Sequence, residues 1–175
     1  MKTLLSILLM ATVLTTNAQS IHSFTVKSID GKNLNLASFK GKKILIVNVA
    51  TYCGYTYQYK GMEKLYQTYK DKLVVIGFPA NNFKNQEPNS NEEIQEFCRK
   101  DKGVTFPMAQ KISVAGDDIH PIFNYLISEA QKIGTEEPII KWNFTKFLVD
   151  ENGKLLKVFR SKIEPMSEEI TKYLN

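Results

Sequence analysis

In ATYCGYT, residues 50–56, a cysteine is followed at once by glycine and, three positions on, by threonine. The spacing is that of a Cys-x-x-Cys redox pair whose second member has become Thr56. With no thiol at that position, Cys53 cannot close a disulfide inside its own motif, which makes dithiol exchange difficult. A lone exposed thiolate can still attack an external electrophile such as a peroxide oxygen. Attack gives a sulfenic acid, and that product needs a reductant. The chain has one further cysteine, Cys98, far away in sequence. Outside the cytosol two such cysteines could simply be a structural disulfide, so spacing alone leaves both readings open.

Whether Cys53 is reactive depends on the elements that hold it. The run KILIVNV (43–49) is almost continuously apolar and β-branched, as expected of a central strand buried on both faces, and it ends at the motif. Met62, Leu65, Tyr66 and Tyr69 then fall at helical spacing, which predicts a helix over 57–69 with Cys53 and Gly54 at its first turn. Backbone N–H groups and the positive dipole end stabilise an anion there, and helix N-termini lower a cysteine pKa from its reference of about 8.5. A second buried strand, LVVIGF (73–78), completes a β-α-β unit with a right-handed crossover.

The remaining elements are marked by similar signals. A hairpin is predicted around Asp30-Gly31, from strands at 23–27 and 33–36. Ser90 to Glu93 reads as a capping box opening a helix that carries Ile94, Phe97 and Cys98 on one face. A helix over 119–130, strands at 144–149 and 154–159 around the turn DENG, and a last helix over 165–174 beginning at Pro165 complete the chain. This order predicts an α/β, thioredoxin-like fold with an N-terminal β-hairpin and an inserted helix, its central mixed sheet flanked by helices.

Three stretches resemble the glutathione peroxidases. GKKILIVNVATYCGYT (41–56) looks like their active-site signature, GFPANNF followed by QEP (77–88) like their second motif, and KWNFTKFL (141–148) like their third. The resemblance implies a thiol peroxidase with Cys53 as peroxidatic residue, in the place often held by selenocysteine. It implies that a glutamine, a tryptophan and an asparagine surround that residue. The last two are Trp142 and Asn143, whose indole and carboxamide N–H groups can donate to the thiolate or to the departing oxygen, stabilising charge as the O–O bond breaks. The glutamine position is occupied by Asn82, one methylene shorter, for which a weaker or water-mediated contact to Cys53 is expected. Ala80 stands where a cysteine is common, and Thr51 replaces the usual serine.

In the family's cysteine-containing, thioredoxin-dependent members a resolving cysteine lies on the helix after the second motif, and EFC (96–98) resembles that site. Core packing is the competing reading for Cys98, since free cysteines are commonly buried. The resolving role requires the helix to open locally, and CRKDKGV (98–104) is charged and contains Gly103. The resemblance makes a hydroperoxide the substrate and a thioredoxin-like protein the reductant. Glutathione is disfavoured because Arg99 and Arg160, the only arginines, are not beside the motifs. A short interval from 130 to 141 fits the monomeric members.

Composition limits the alternatives. With 175 residues, 43% of them hydrophobic, the chain suits one domain with a sizeable core. The net charge of +5 is scattered among glutamates, which argues for a solvated surface over a nucleic-acid partner. Residues 1–18 read as a secretory signal peptide, leaving a single domain over 19–175 that is secreted or periplasmic, with no stable membrane insertion. His22 and His120 lie far apart without clustered ligands, so neither a metal nor any other cofactor is expected. Tyr52, Tyr55, Tyr57 and Tyr59 crowd the nucleophile, either as packing or as a docking surface. Two rival functions remain: a peroxide-sensing thiol relay that oxidises a partner, and a non-catalytic domain with a structural Cys53–Cys98 bridge.

Overall fold

The computed structural model describes residues 19–137 and 139–175. The signal peptide expected at 1–18 lies outside the described residues.

Strands β1 (Thr25–Lys27) and β2 (Asn33–Asn35) pair antiparallel around Gly31, whose φ of 82° suits the turn. The main sheet contains β3 (Lys43–Val49), β4 (Leu73–Pro79), β5 (Lys146–Val149) and β6 (Leu155–Phe159), in the order β4-β3-β5-β6. β3 pairs parallel with β4 and antiparallel with β5, so the sheet is mixed as predicted. The parallel pair is joined by α1 (Gln58–Thr68). The β5–β6 turn is closed by Asp150, whose Oδ1 accepts from the N–H groups of Asn152 and Lys154.

Alternation along β3 divides the core into two layers. Ile44 and Ile46 face a layer with Ile76, Phe78 and the apolar stripe of α3 (Pro121–Lys132), namely Ile122, Phe123 and Leu126. Leu45, Val47 and Val49 face the other layer, with Met62 and Leu65 of α1, Ile94, Phe106 and both cysteines. The site is therefore built on one face of the sheet.

Three elements depart from the sequence expectations. α1 begins at Gln58, and the residues from Cys53 onward form consecutive tight turns, with Thr56 N–H donating to the Cys53 carbonyl and Tyr59 N–H to that of Thr56. Cys53 thus lies a turn ahead of the helix, because Gly54 and Thr56 are poor helix formers. The Ser90 capping box opens α2 (Asn91–Glu96) as predicted, but the helix continues as a π-helical turn over Phe97–Asp101 that contains Cys98. The last helix, α4 (Glu168–Thr171), is a single turn, and Pro165 precedes it rather than occupying its first position.

Candidate functional site

Cys53 lies directly beyond β3 and is 4% exposed, with its Sγ accepting from the Tyr55 N–H at 3.5 Å. The loop before it is fastened to the second motif. Thr51 donates to Glu87 Oε2 from its N–H at 2.8 Å and from its hydroxyl at 3.0 Å, and Tyr52 N–H donates to the Gln86 carbonyl at 3.0 Å. Glu87 is fully buried, and desolvation pushes its carboxyl up despite the bonds from Thr51. That segment comes after two non-glycine residues in the left-handed region, Lys84 and Asn85, held by hydrogen bonds from Asn81 Nδ2 to Asn85 Oδ1 and from Glu87 N–H to Asn81 Oδ1.

Trp142 and Asn143 sit on a similarly constrained loop. Phe144 has φ of 63° and is fully buried, and its N–H donates to the Asn48 carbonyl at 2.6 Å. Asn48, buried on β3, also accepts at Oδ1 from Thr145 N–H and donates from Nδ2 to the Trp142 carbonyl and to Asn143 Oδ1. The indole packs on Phe83 with Lys84 above it, and it borders the core layer that contains Cys53. Below this loop Lys146, fully buried, donates to Gln58 Oε1, Ser161 O and Ile163 O, tying the start of α1 to the C-terminal segment. Burial pulls its ammonium down to about 7.

Asn82 does not join these residues. Its Nδ2 donates to Ser113 Oγ and the Ala115 carbonyl, both at 2.8 Å, and its Oδ1 accepts from Val114 N–H at 2.9 Å. Both ends of the short carboxamide are thus committed to the 113–115 loop, and the water-mediated contact to Cys53 expected from the sequence has no free donor there.

Cys98 is fully buried in the same core layer as Cys53, and both are free thiols. Burial pushes the Cys98 thiol up to about 11. The Tyr59 hydroxyl, buried without a conventional hydrogen bond, lies against it. Tyr52 and Tyr57 are exposed, so the tyrosine run divides into one core residue and a surface group. Arg160, remote from the motifs in sequence, lines a cleft of about 580 Å³ with Tyr55, Lys141, Trp142 and Lys162. Its guanidinium donates to the carbonyls of Glu136 and Ile139. Sequence separation concealed that proximity, because β6 returns beside the third motif. The described residues contain no cluster of three or more His, Cys, Asp or Glu side chains suited to a metal ion.

A family model described as glutathione peroxidase matches residues 21–127. The chain belongs to the glutathione peroxidase family. It is 46% identical over 158 residues to a glutathione peroxidase of Lactococcus lactis, covering 89% of this chain and 99% of that protein. It is 48% identical over 140 residues to a glutathione peroxidase-like peroxiredoxin of Schizosaccharomyces pombe, covering 79% and 87%. Among solved structures, T. cruzi GPX1 superposes with a TM-score of 0.67 at 33% identity, covering 89% of this chain and 94% of that one. A thioredoxin-family thiol:disulfide interchange protein from Chlorobium tepidum superposes with a TM-score of 0.62 at 19% identity, covering 86% and 92%. That last likeness shows the thioredoxin-like fold. As a glutathione peroxidase family member the protein is a thiol peroxidase, an oxidoreductase with peroxide as acceptor.

Proposed function

We infer that Cys53 is the peroxidatic residue of this thiol peroxidase, that Trp142 and Asn143 serve it, and that Cys98 resolves its product. The observation that carries the reading is the shared core layer: two free thiols lie in it, with Trp142 packed against it. In the first step the Cys53 thiolate attacks one oxygen of a hydroperoxide, the O–O bond breaks, and the other oxygen leaves as alkoxide or hydroxide and takes up a proton. Cys53 becomes a sulfenic acid, and the indole and carboxamide N–H groups offset the charge on the departing oxygen. In the second step the Cys98 sulfur displaces the sulfenic hydroxyl, forming the disulfide and releasing water. In the third, a dithiol protein reduces the bridge by thiol–disulfide exchange and is itself oxidised.

Several relatives are named glutathione peroxidase-like peroxiredoxins, which supports a thioredoxin-like reductant over glutathione. The scarcity of arginine near the site no longer contributes, given the position of Arg160. Asn82 is assigned to holding the 113–115 loop. The short interval from 130 to 141 supports a monomer, and the signal-peptide pattern supports work outside the cytosol, where an extracytoplasmic thioredoxin-like protein would reduce it.

Peroxide consumption supported separately by a thioredoxin-like protein and by glutathione, in wild type, Cys53→Ser and Cys98→Ser, tests the reading. Cys53→Ser is expected to abolish activity, and Cys98→Ser to abolish the thioredoxin-supported part. Full thioredoxin-supported turnover in Cys98→Ser would sink the two-cysteine mechanism.

A further inference from the structure

The carboxamide of Asn143 is held from two sides. Its Oδ1 accepts from Asn48 Nδ2 at 3.5 Å, and its Nδ2 donates to Gln86 Oε1 at 3.0 Å. Gln86 also accepts, at its main-chain carbonyl, from the N–H of Tyr52, the residue before Cys53. Side chain and main chain of this one residue therefore join the nucleophile's loop to the Trp142–Asn143 loop. Asn82, which stands at the family's glutamine position, reaches neither, since all its amide bonds go to residues 113–115.

We propose that Gln86 is a positioning residue for the peroxide step, taking over the alignment that Asn82 cannot provide. A carboxamide has two nearly isosteric orientations, one presenting N–H groups and the other an oxygen. Gln86 Oε1 and Asn48 Nδ2 together select one of them. One Asn143 N–H is used by Gln86, which leaves the second for the departing oxygen. Without the Gln86 acceptor only the longer bond from Asn48 Nδ2 opposes turning of the Asn143 amide, and an oxygen facing the developing anion repels it. The left-handed pair Lys84 and Asn85 is the local device that turns Gln86 back toward Asn143. Asn82 and Gln86 thus divide between them two tasks, anchoring the loop and aligning the amide.

This proposal rests on Cys53 being peroxidatic, and the test separates the two. In a Cys98→Ser background, which isolates the first step, the second-order rate of Cys53 oxidation by hydrogen peroxide is measured for Gln86→Met, Gln86→Ala, Asn143→Ala and the Gln86→Met/Asn143→Ala double variant. The rate of Cys53 alkylation by iodoacetamide is measured alongside, because alkylation has no departing oxygen to stabilise. Gln86→Met is expected to slow peroxide oxidation at least tenfold while alkylation changes less than twofold. Asn143→Ala should do the same, and the double variant should be no slower than Asn143→Ala. Oxidation within twofold of the parent in whichever Gln86 variant folds overturns the proposal, as do equal losses in both reactions or losses that multiply in the double variant. Retained peroxide consumption in Cys53→Ser would instead overturn the peroxidatic assignment.

Discussion

Burial pushes the Cys98 thiol up to about 11, so at neutral pH roughly one folded molecule in ten thousand carries it as thiolate. Exposure to water restores ordinary thiol acidity, which couples reactivity of Cys98 to its leaving the core. The same shift affects stability. Because the folded value lies above the unfolded one, the contribution is fully present below about pH 9 and is lost as pH rises toward 11. Urea unfolding of reduced wild type against Cys98→Ala should show a stability difference that shrinks by on the order of 2 kcal/mol between pH 8 and pH 10.5. A constant difference would mean the thiol is not desolvated. At this scale the sequence was informative about residue types and silent about partners. The shortness of Asn82 was visible at once, but its bonds to Ser113, Val114 and Ala115 reach into a loop with no periodic pattern. Gln86 lies within the second motif, yet no local signal there shows that its side chain meets Asn143.

The π-helical turn over Phe97–Asp101 is the element on which the proposed resolution by Cys98 would depend. An i→i+5 bond, Lys102 N–H to the Phe97 carbonyl, replaces part of the ordinary helical ladder, and Val104 N–H to the Cys98 carbonyl closes the end. Arg99 Nη1 adds bonds to the Val104 and Phe106 carbonyls, fixing the chain beyond the turn. Little regular structure supports this closed state on its other side, since α2 is only six residues long and depends on its Ser90 cap. Ser90→Ala should remove about 1 kcal/mol of local stability, raise the open population roughly fivefold and speed disulfide formation by up to that factor. Amide exchange over 91–104 together with the rate of disulfide appearance checks this; faster exchange with an unchanged disulfide rate would separate resolution from helix opening. The apolar spacing of Ile94, Phe97 and Cys98 marked the helix correctly, because burial selects the face. It could not show the extra residue in the turn, since Ile94 lies before the π-turn and Phe97 and Cys98 are its first two residues, ahead of any shift in register.

At the level of the whole molecule, the sheet separates two core layers, and both cysteines pack into one of them. Oxidation should therefore change amide exchange in α2, the π-turn and the start of α1 while leaving Ile122, Phe123 and Leu126 of α3 protected. Loss of protection across both layers would show global loosening instead. The β-α-β order, the antiparallel β5–β6 pair and the N-terminal hairpin were legible because strand period and turn chemistry are local. The bounds of α1 and α4 were not, since tight turns and single helical turns use the same residue types. Separated from the π-turn by residues 102–106, residues 107–112 run beside β4: Gly77 N–H donates to the Pro107 carbonyl, Ala109 N–H to the Gly77 carbonyl and Ile112 N–H to that of Pro79. Gly77 admits this approach, since a Cβ there would come within 2.5 Å of Met108 Sδ. Ile29 N–H to Met108 O and Gln110 N–H to Lys27 O fasten the same segment to the hairpin on its other side. A chain that opens next to a strand edge in each turnover risks offering that edge to its neighbours. Here residues 107–112 keep main-chain bonds to β4 and to the hairpin, and are hydrogen-bonded to α2 through Lys111 N–H and Asn91 Oδ1, so opening confined to 97–104 would leave the edge covered.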